Sequence, residues 1–162
     1  MKKSNLVLLI IFIVCSTGIA LFIAITFLPH PHEAELKAAV ENSKSISRNA
    51  MITLDATQLS QGYTGKSLTE IERIVNLEKT AGLLFIDIES EIASLDVLKY
   101  EPPTAIVEVK WYQKNHLRNR ATGVITPSQE SDEWWIYRYK MHLEDDAWKM
   151  EEALEFVGHG GY

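Results

Sequence analysis

The sequence predicts an α+β protein: an N-terminal membrane span, then two helices packed on a curved antiparallel sheet. Three observations carry this. Leu6–Leu28 holds no charged residue. Apolar residues recur at three- and four-residue steps from Glu33 to about Ser60, and again from Ser67 to Lys79. After Gly82 the apolar period changes to two.

At about 1.5 Å per helical residue the first run reaches roughly 34 Å, enough to cross a hydrocarbon core about 30 Å thick. Lipid offers no partner to backbone N–H and C=O groups, so the run is expected to be helical throughout. Lys2 and Lys3 precede it and Pro29-His30-Pro31 ends it. This predicts a cytoplasmic N-terminus (1–5), a single-pass span in the cell membrane (6–28), a linker (29–32), an extracytoplasmic domain (33–157) and a flexible tail (158–162). A cleaved signal fits less well, because the run is long and closes on Thr26-Phe27-Leu28-Pro29 rather than on small residues. A lipoprotein signal is disfavoured by Val14 before Cys15.

All 22 acidic residues and all but two of the 16 basic ones lie beyond this run, leaving an acidic domain. Nucleic acid is therefore excluded as a main partner. The single cysteine, Cys15, sits in the span, so the domain is expected to hold together by packing, without disulfides or thiolate metal sites. His30 and His32 recruit no further ligand, and there is no glycine-rich phosphate loop. No metal and no cofactor are expected.

The first helix places Leu36, Val40, Ser43, Ile46, Ala50, Thr53 or Leu54, and Thr57 on one stripe, and Gln61-Gly62-Tyr63-Thr64-Gly65 breaks it. Ser67-Leu68-Thr69-Glu70 reads as a capping box opening a second helix with Ile71, Ile74 and Val75 inward. Ile86, Ile88 and Ile92 alternate with acids in a first strand, which Leu95, Val97 and Leu98 extend after a bulge or turn. Glu101-Pro102-Pro103 makes a turn, and Ala105, Val107, Val109 and Trp111 alternate in a second strand. Asn115 to Arg120 is polar and basic, expected as a loop, and Thr122–Ile125 is a candidate edge strand. Trp135, Tyr137, Tyr139, Met141 and Leu143 share one strand face. Glu144-Asp145-Asp146 turns the chain, and Trp148, Met150, Leu154 and Phe156 line the last strand.

The strand ending in Ala105-Ile106-Val107-Glu108-Val109 and the hairpin from Tyr137 through an acidic turn to Trp148-Lys149-Met150 resemble the nuclear-transport-factor-2-like (NTF2-like, SnoaL-like) superfamily. Thr53-Leu54-Asp55, Leu59, Tyr63-Thr64-Gly65 and Leu68 look like bacterial membrane-anchored relatives of the intermembrane-space (IMS-type) domain of plastid-division proteins. The resemblance covers roughly residues 33–157. It implies a cone with a pocket at its wide end. Enzymes of the superfamily carry an Asp or His there as general base, whereas the IMS-type domain is associated with protein contacts.

Asp55 and Tyr63 are the expected pocket-mouth residues. Asp87 falls on the charged side of its strand, His116 in a loop and His142 on the outer face, so no catalytic pair emerges. Adjacent strand residues face opposite ways, so Trp134 and Trp135 cannot both be in the core. Trp134 with Arg138, and Trp111 or Tyr112 beside them, is the candidate interaction patch. The sequence thus predicts a membrane-anchored, non-enzymatic interaction domain that docks an envelope protein or itself. The alternative is a small-ligand pocket protein, or an isomerase- or hydrolase-like enzyme of the same fold.

Overall fold

Two helices lie on one face of an antiparallel sheet in a computed structural model that describes residues 30–81, 84–127 and 133–161. The helices are α1 (Glu33–Thr53) and α2 (Gly65–Ala81), joined through a 3-10 turn (Leu59–Gln61). The strands are β1 (Leu84–Glu101), β2 (Thr104–Asn119), β3 (Ile125–Pro127), β4 (Glu133–Glu144) and β5 (Ala147–Gly161). The chain divides into two units, Met1–Pro31 and His32–Tyr162. The expected span Leu6–Leu28 lies outside the described residues. Among the described residues no helix is long and apolar enough to cross a membrane.

The sheet runs β1-β2-β4-β5, with β3 pairing the end of β2. Its inner face buries Val107, Val109, Trp111, Tyr139 and Met141 against Leu36 and Val40 of α1. This is the α+β layout the periodicities predict, since a sheet with one apolar face needs helices to cover it.

Helix α1 begins where His32 stacks on Tyr100 of β1, ring centroids 4.1 Å apart and planes 5° from parallel. It ends at Thr53, short of the expected Ser60, because Leu54 turns into the left-handed region (φ 58°, ψ 33°). Arg120 then donates to the last-turn carbonyls of Met51 (2.9 Å) and Ile52 (3.3 Å), groups a helix end leaves without internal partners. The chain folds back so that Leu59 enters the core.

The capping box does not form. Helix α2 already starts at Gly65 (φ 53°), Leu68 N–H donates to Thr64 C=O (3.2 Å), and Glu70 is taken by Arg73 one turn on. The segment expected as a basic loop is strand: β2 runs to Asn119, held by β1 on one side and β3 on the other, which makes Asp87 and His116 register partners. Asp145 and Asp146 both take positive φ (52° and 60°), the two-residue turn whose twist suits a hairpin.

Five one-residue bulges break the strict alternation. Ala93 and Leu98 are unpaired in β1, and Glu151, Leu154 and Val157 in β5. Inward positions on β5 therefore recur at Met150, Ala153, Phe156 and His159, the register neighbours of Met141, Tyr139, Tyr137 and Trp135. Leu154, expected inside, is the extra residue of a bulge and is exposed. The expected flexible tail is also strand, with Gly158 and Gly160 paired to Ile136 and Trp134. The bulky Trp134 ring occupies the space a side chain at Gly160 would need.

Candidate functional site

The cone is open. Between α1, α2 and the inner face of the sheet lies a cavity of about 680 Å³. Its volume falls within the range typical of small-molecule sites, roughly 300–1,000 Å³. Its wall comes from three sources.

The first is the flank of α1. Lys44, Ser47, Arg48 and Met51 recur at helical spacing one residue off the core stripe and face the cavity. Sequence reasoning followed the stripe itself and passed over them. Lys44 follows the stripe residue Ser43, and nothing in the sequence sets it apart from a solvated lysine.

Tyr63 is the second source, and its placement is fixed from both sides. The Ser43 hydroxyl lies 2.7 Å from the Gly62 carbonyl, and a Cβ at Gly62 would come within 2.9 Å of Ser43 Cα. Only glycine allows that approach. The next residues latch onto β5: Met150 N–H donates to Gly62 C=O (2.9 Å) and Thr64 N–H to Met150 C=O (3.0 Å). Tyr63 is thereby buried against the cavity, as part of its wall rather than its mouth.

The third source is aromatic. Tyr137 and Tyr139 line the cavity from β4, with ring centroids 6.0 Å apart. Tyr137 continues into Trp135 and Phe156, at 6.4 and 5.3 Å, and Trp135 into His159 at 5.2 Å. Ile71 and Ile74 of α2 complete the apolar lining opposite.

The electrostatics are uneven. Among the described residues three carboxylates face the cavity, and each has a cation: Glu70 with Arg73 (2.6 Å), Glu152 with Lys66 (2.5 Å) and Glu78 with Arg120 (3.7 Å). Among them Lys44 has no carboxylate partner. Its Nζ stands 5.1 Å from the Trp111 ring centroid and 6.0 Å from that of Tyr139. Burial lowers its ammonium to about 8. Burial also pushes the Tyr63 hydroxyl up to about 12, against a hydrogen bond with Ser47, and raises that of Tyr139. These phenols stay protonated donors at neutral pH.

The other expected residues fall elsewhere. Asp55 is exposed and outside the cavity; its carboxylate accepts from Thr57 N–H (2.9 Å), a local turn that holds it below the usual carboxylate range. Trp111 is 1% exposed, on the inner face with Val107 and Val109, which removes it from the outer patch. Tyr112 is its outward neighbour and the register partner of Trp134. Lys110 Nζ lies 4.5 Å over the Trp134 ring. Arg138 joins Glu108 and Glu155, both at 2.8 Å, across three strands of the outer face. His142 lies on that face, 3.7 Å from Glu151. Among the described residues no group of three His, Cys, Asp or Glu side chains is placed to hold a metal.

No family model matches the chain, and no curated protein matches it in sequence. Its fold is similar to solved structures. The intermembrane space region of chloroplast protein ARC6 superposes with a TM-score of 0.59 at 14% identity, covering 80% of this chain and 100% of that one. The beta subunit of benzoate 1,2-dioxygenase from Burkholderia mallei gives 0.48 at 11%, covering 78% and 89%. A ketosteroid isomerase-like protein from Erwinia carotovora atroseptica gives 0.43 at 18%, covering 72% and 91%. The likeness is one of fold: two helices on an antiparallel sheet, the α+β arrangement shared with the ARC6 intermembrane space region.

Proposed function

We propose that residues 33–161 form a membrane-anchored, non-catalytic binding module that receives a small molecule in the cavity between the helices and the sheet. The observation that carries this is the cavity itself, which is open, tyrosine-lined and built on fixed elements. A carboxylate or imidazole acting as general base must be free to take a proton in the site. Among the described residues the lining carboxylates are each ion-paired and no histidine lines the wall. The charge-free Leu6–Leu28 run supports the anchor, with Lys2 and Lys3 favouring a cytoplasmic N-terminus and an extracytoplasmic domain.

Thermal-shift titration of the full chain in lipid nanodiscs with a panel of small aromatic and aliphatic molecules tests the module. Binders are expected to raise Tm in wild type and not in Ile74→Trp, which fills the cavity. If no compound acts, or Ile74→Trp responds equally, the cavity is not a site. Protease accessibility from either side of sealed vesicles tests the anchor; a domain digested only from the cytoplasmic side reverses the orientation.

One observation favours a second reading, docking of an envelope protein on the outer face. Tyr112 and Trp134 are cross-strand partners on that face, Arg138 shares it four residues along β4, and of the expected pair Trp111 or Tyr112 it is Tyr112 that faces outward. Trp134→Ala with Arg138→Ala is expected to abolish co-purification of a cross-linked partner; unchanged co-purification removes this reading.

A further inference from the structure

We propose that the cavity selects an anion with an apolar body, its carboxylate or equivalent head held by Lys44 and its body laid against Met51, Ile71 and Ile74. The inference rests on the cavity being a small-molecule site and adds the chemical class of what enters.

Three observations carry it. The first is the charge balance. Glu70, Glu78 and Glu152 are each matched by a cation, so no lining carboxylate is left to neutralise Lys44. The second is what surrounds the ammonium. It stands over the faces of Trp111 and Tyr139, whose ring quadrupoles attract a cation but do not neutralise it. A half-buried ammonium without a counter-ion is a favourable partner for an anion, and a bound anion is the group that completes it. The third is position. Lys44 and Met51 face the cavity from the same flank of α1, with Ile71 and Ile74 opposite on α2, so a head group at Lys44 leaves apolar wall for the body behind it. The protonated hydroxyls of Tyr63 and Tyr139 add neutral donors suited to the head-group oxygens.

The test uses an isosteric pair, 2-naphthoate and 2-naphthamide, which differ in charge and share the apolar body. Isothermal titration is run on the full chain in lipid nanodiscs, with empty nanodiscs as reference, for wild type, Lys44→Met, Lys44→Arg and Ile74→Trp. A charge-assisted contact in a half-buried site is expected to make wild type favour the acid about ten-fold or more. Lys44→Met should bring the acid down to the level of the amide, and Lys44→Arg should keep the preference. Ile74→Trp should lose both probes. Equal affinities in wild type, or a preference that survives Lys44→Met, overturn the anion assignment while leaving the cavity as a site. Failure of both probes to bind wild type overturns the two together. Circular dichroism of each variant separates loss of binding from loss of fold.

Discussion

The Trp134 indole lies across Gly160, its register partner on β5, so closely that a Cβ there would come within 2.5 Å of Trp134 Cζ2 and 2.9 Å of Nε1. With Lys110 over the same ring, the outward tryptophan is covered from two sides by its own sheet. Gly160→Ala is therefore expected to displace the indole and cost about 1–3 kcal/mol, as over-packing does elsewhere. Urea denaturation measures the loss, and tryptophan fluorescence should shift to the red. Adding Trp134→Leu should recover most of the stability; a Gly160→Ala variant as stable as wild type contradicts the packing.

Lys44 and the cavity tyrosines make stability depend on pH in opposite directions. The folded-state pKa of Lys44 is depressed to about 8 from 10.5, so above about 8 the unfolded chain binds more protons and stability rises with pH. Tyr63 is raised from 10.0 to about 12, so above about 10 the folded chain keeps a proton the unfolded one loses, and stability falls. Chemical denaturation from pH 7 to 11 should show a maximum near the crossover. Lys44→Met should be more stable than wild type at pH 7 and lose the rising limb. A flat wild-type profile from pH 7 to 10 would deny Lys44 its burial.

Arg120 is 14% exposed and joins two elements, capping α1 at Met51 and Ile52 and meeting Glu78 of α2. Arg120→Met keeps the aliphatic stem and removes the donors. It should cost about 1–3 kcal/mol. Hydrogen exchange should quicken in the last turn of α1 ahead of the sheet. Equal protection across the helix would show that the cap carries no weight.

The turn offers a gain rather than a loss. Asp145 and Asp146 both hold positive φ, which costs a residue with a Cβ and costs glycine little. The pair Asp145→Asn with Asp146→Gly is expected to raise stability by about 0.5–1 kcal/mol in urea denaturation, with the fold unchanged. A decrease would mean the aspartate side chains stabilise the turn more than backbone strain opposes it.

The elements governed by local periodicity were readable from the sequence. The α1 stripe, the alternation through Val107 and Val109 and the acidic turn all stand where their residues imply. The errors lie where a contact other than the one the pattern suggests decides. Ser67 and Glu70 have the spacing of a capping box, but Arg73 holds Glu70 and the helix begins earlier at Gly65. Leu154 fits a period of two until a bulge at Glu151 makes the inward period three. Gly158 and Gly160 have the composition of a tail and become strand by pairing with Ile136 and Trp134, the Trp134 ring filling the space a side chain at Gly160 would need. Lys44 is unremarkable on a helical wheel; its interest comes from Trp111 and Tyr139 beneath it and from the pairing of Glu70, Glu78 and Glu152 across its cavity.

The two fastenings of α1 set a mechanical asymmetry. His32 on Tyr100 pins one end beside the closed turn of the β1–β2 hairpin, and Arg120, just past its open end, pins the other. One hairpin thus grips the helix like a bolt held at head and tip. The Lys44 wall cannot slide without undoing a stack or a cap. Arg120 also meets Glu78 of α2, so the tip that holds the charged wall is tied to the opposite wall, and the spacing between the two is set from one residue.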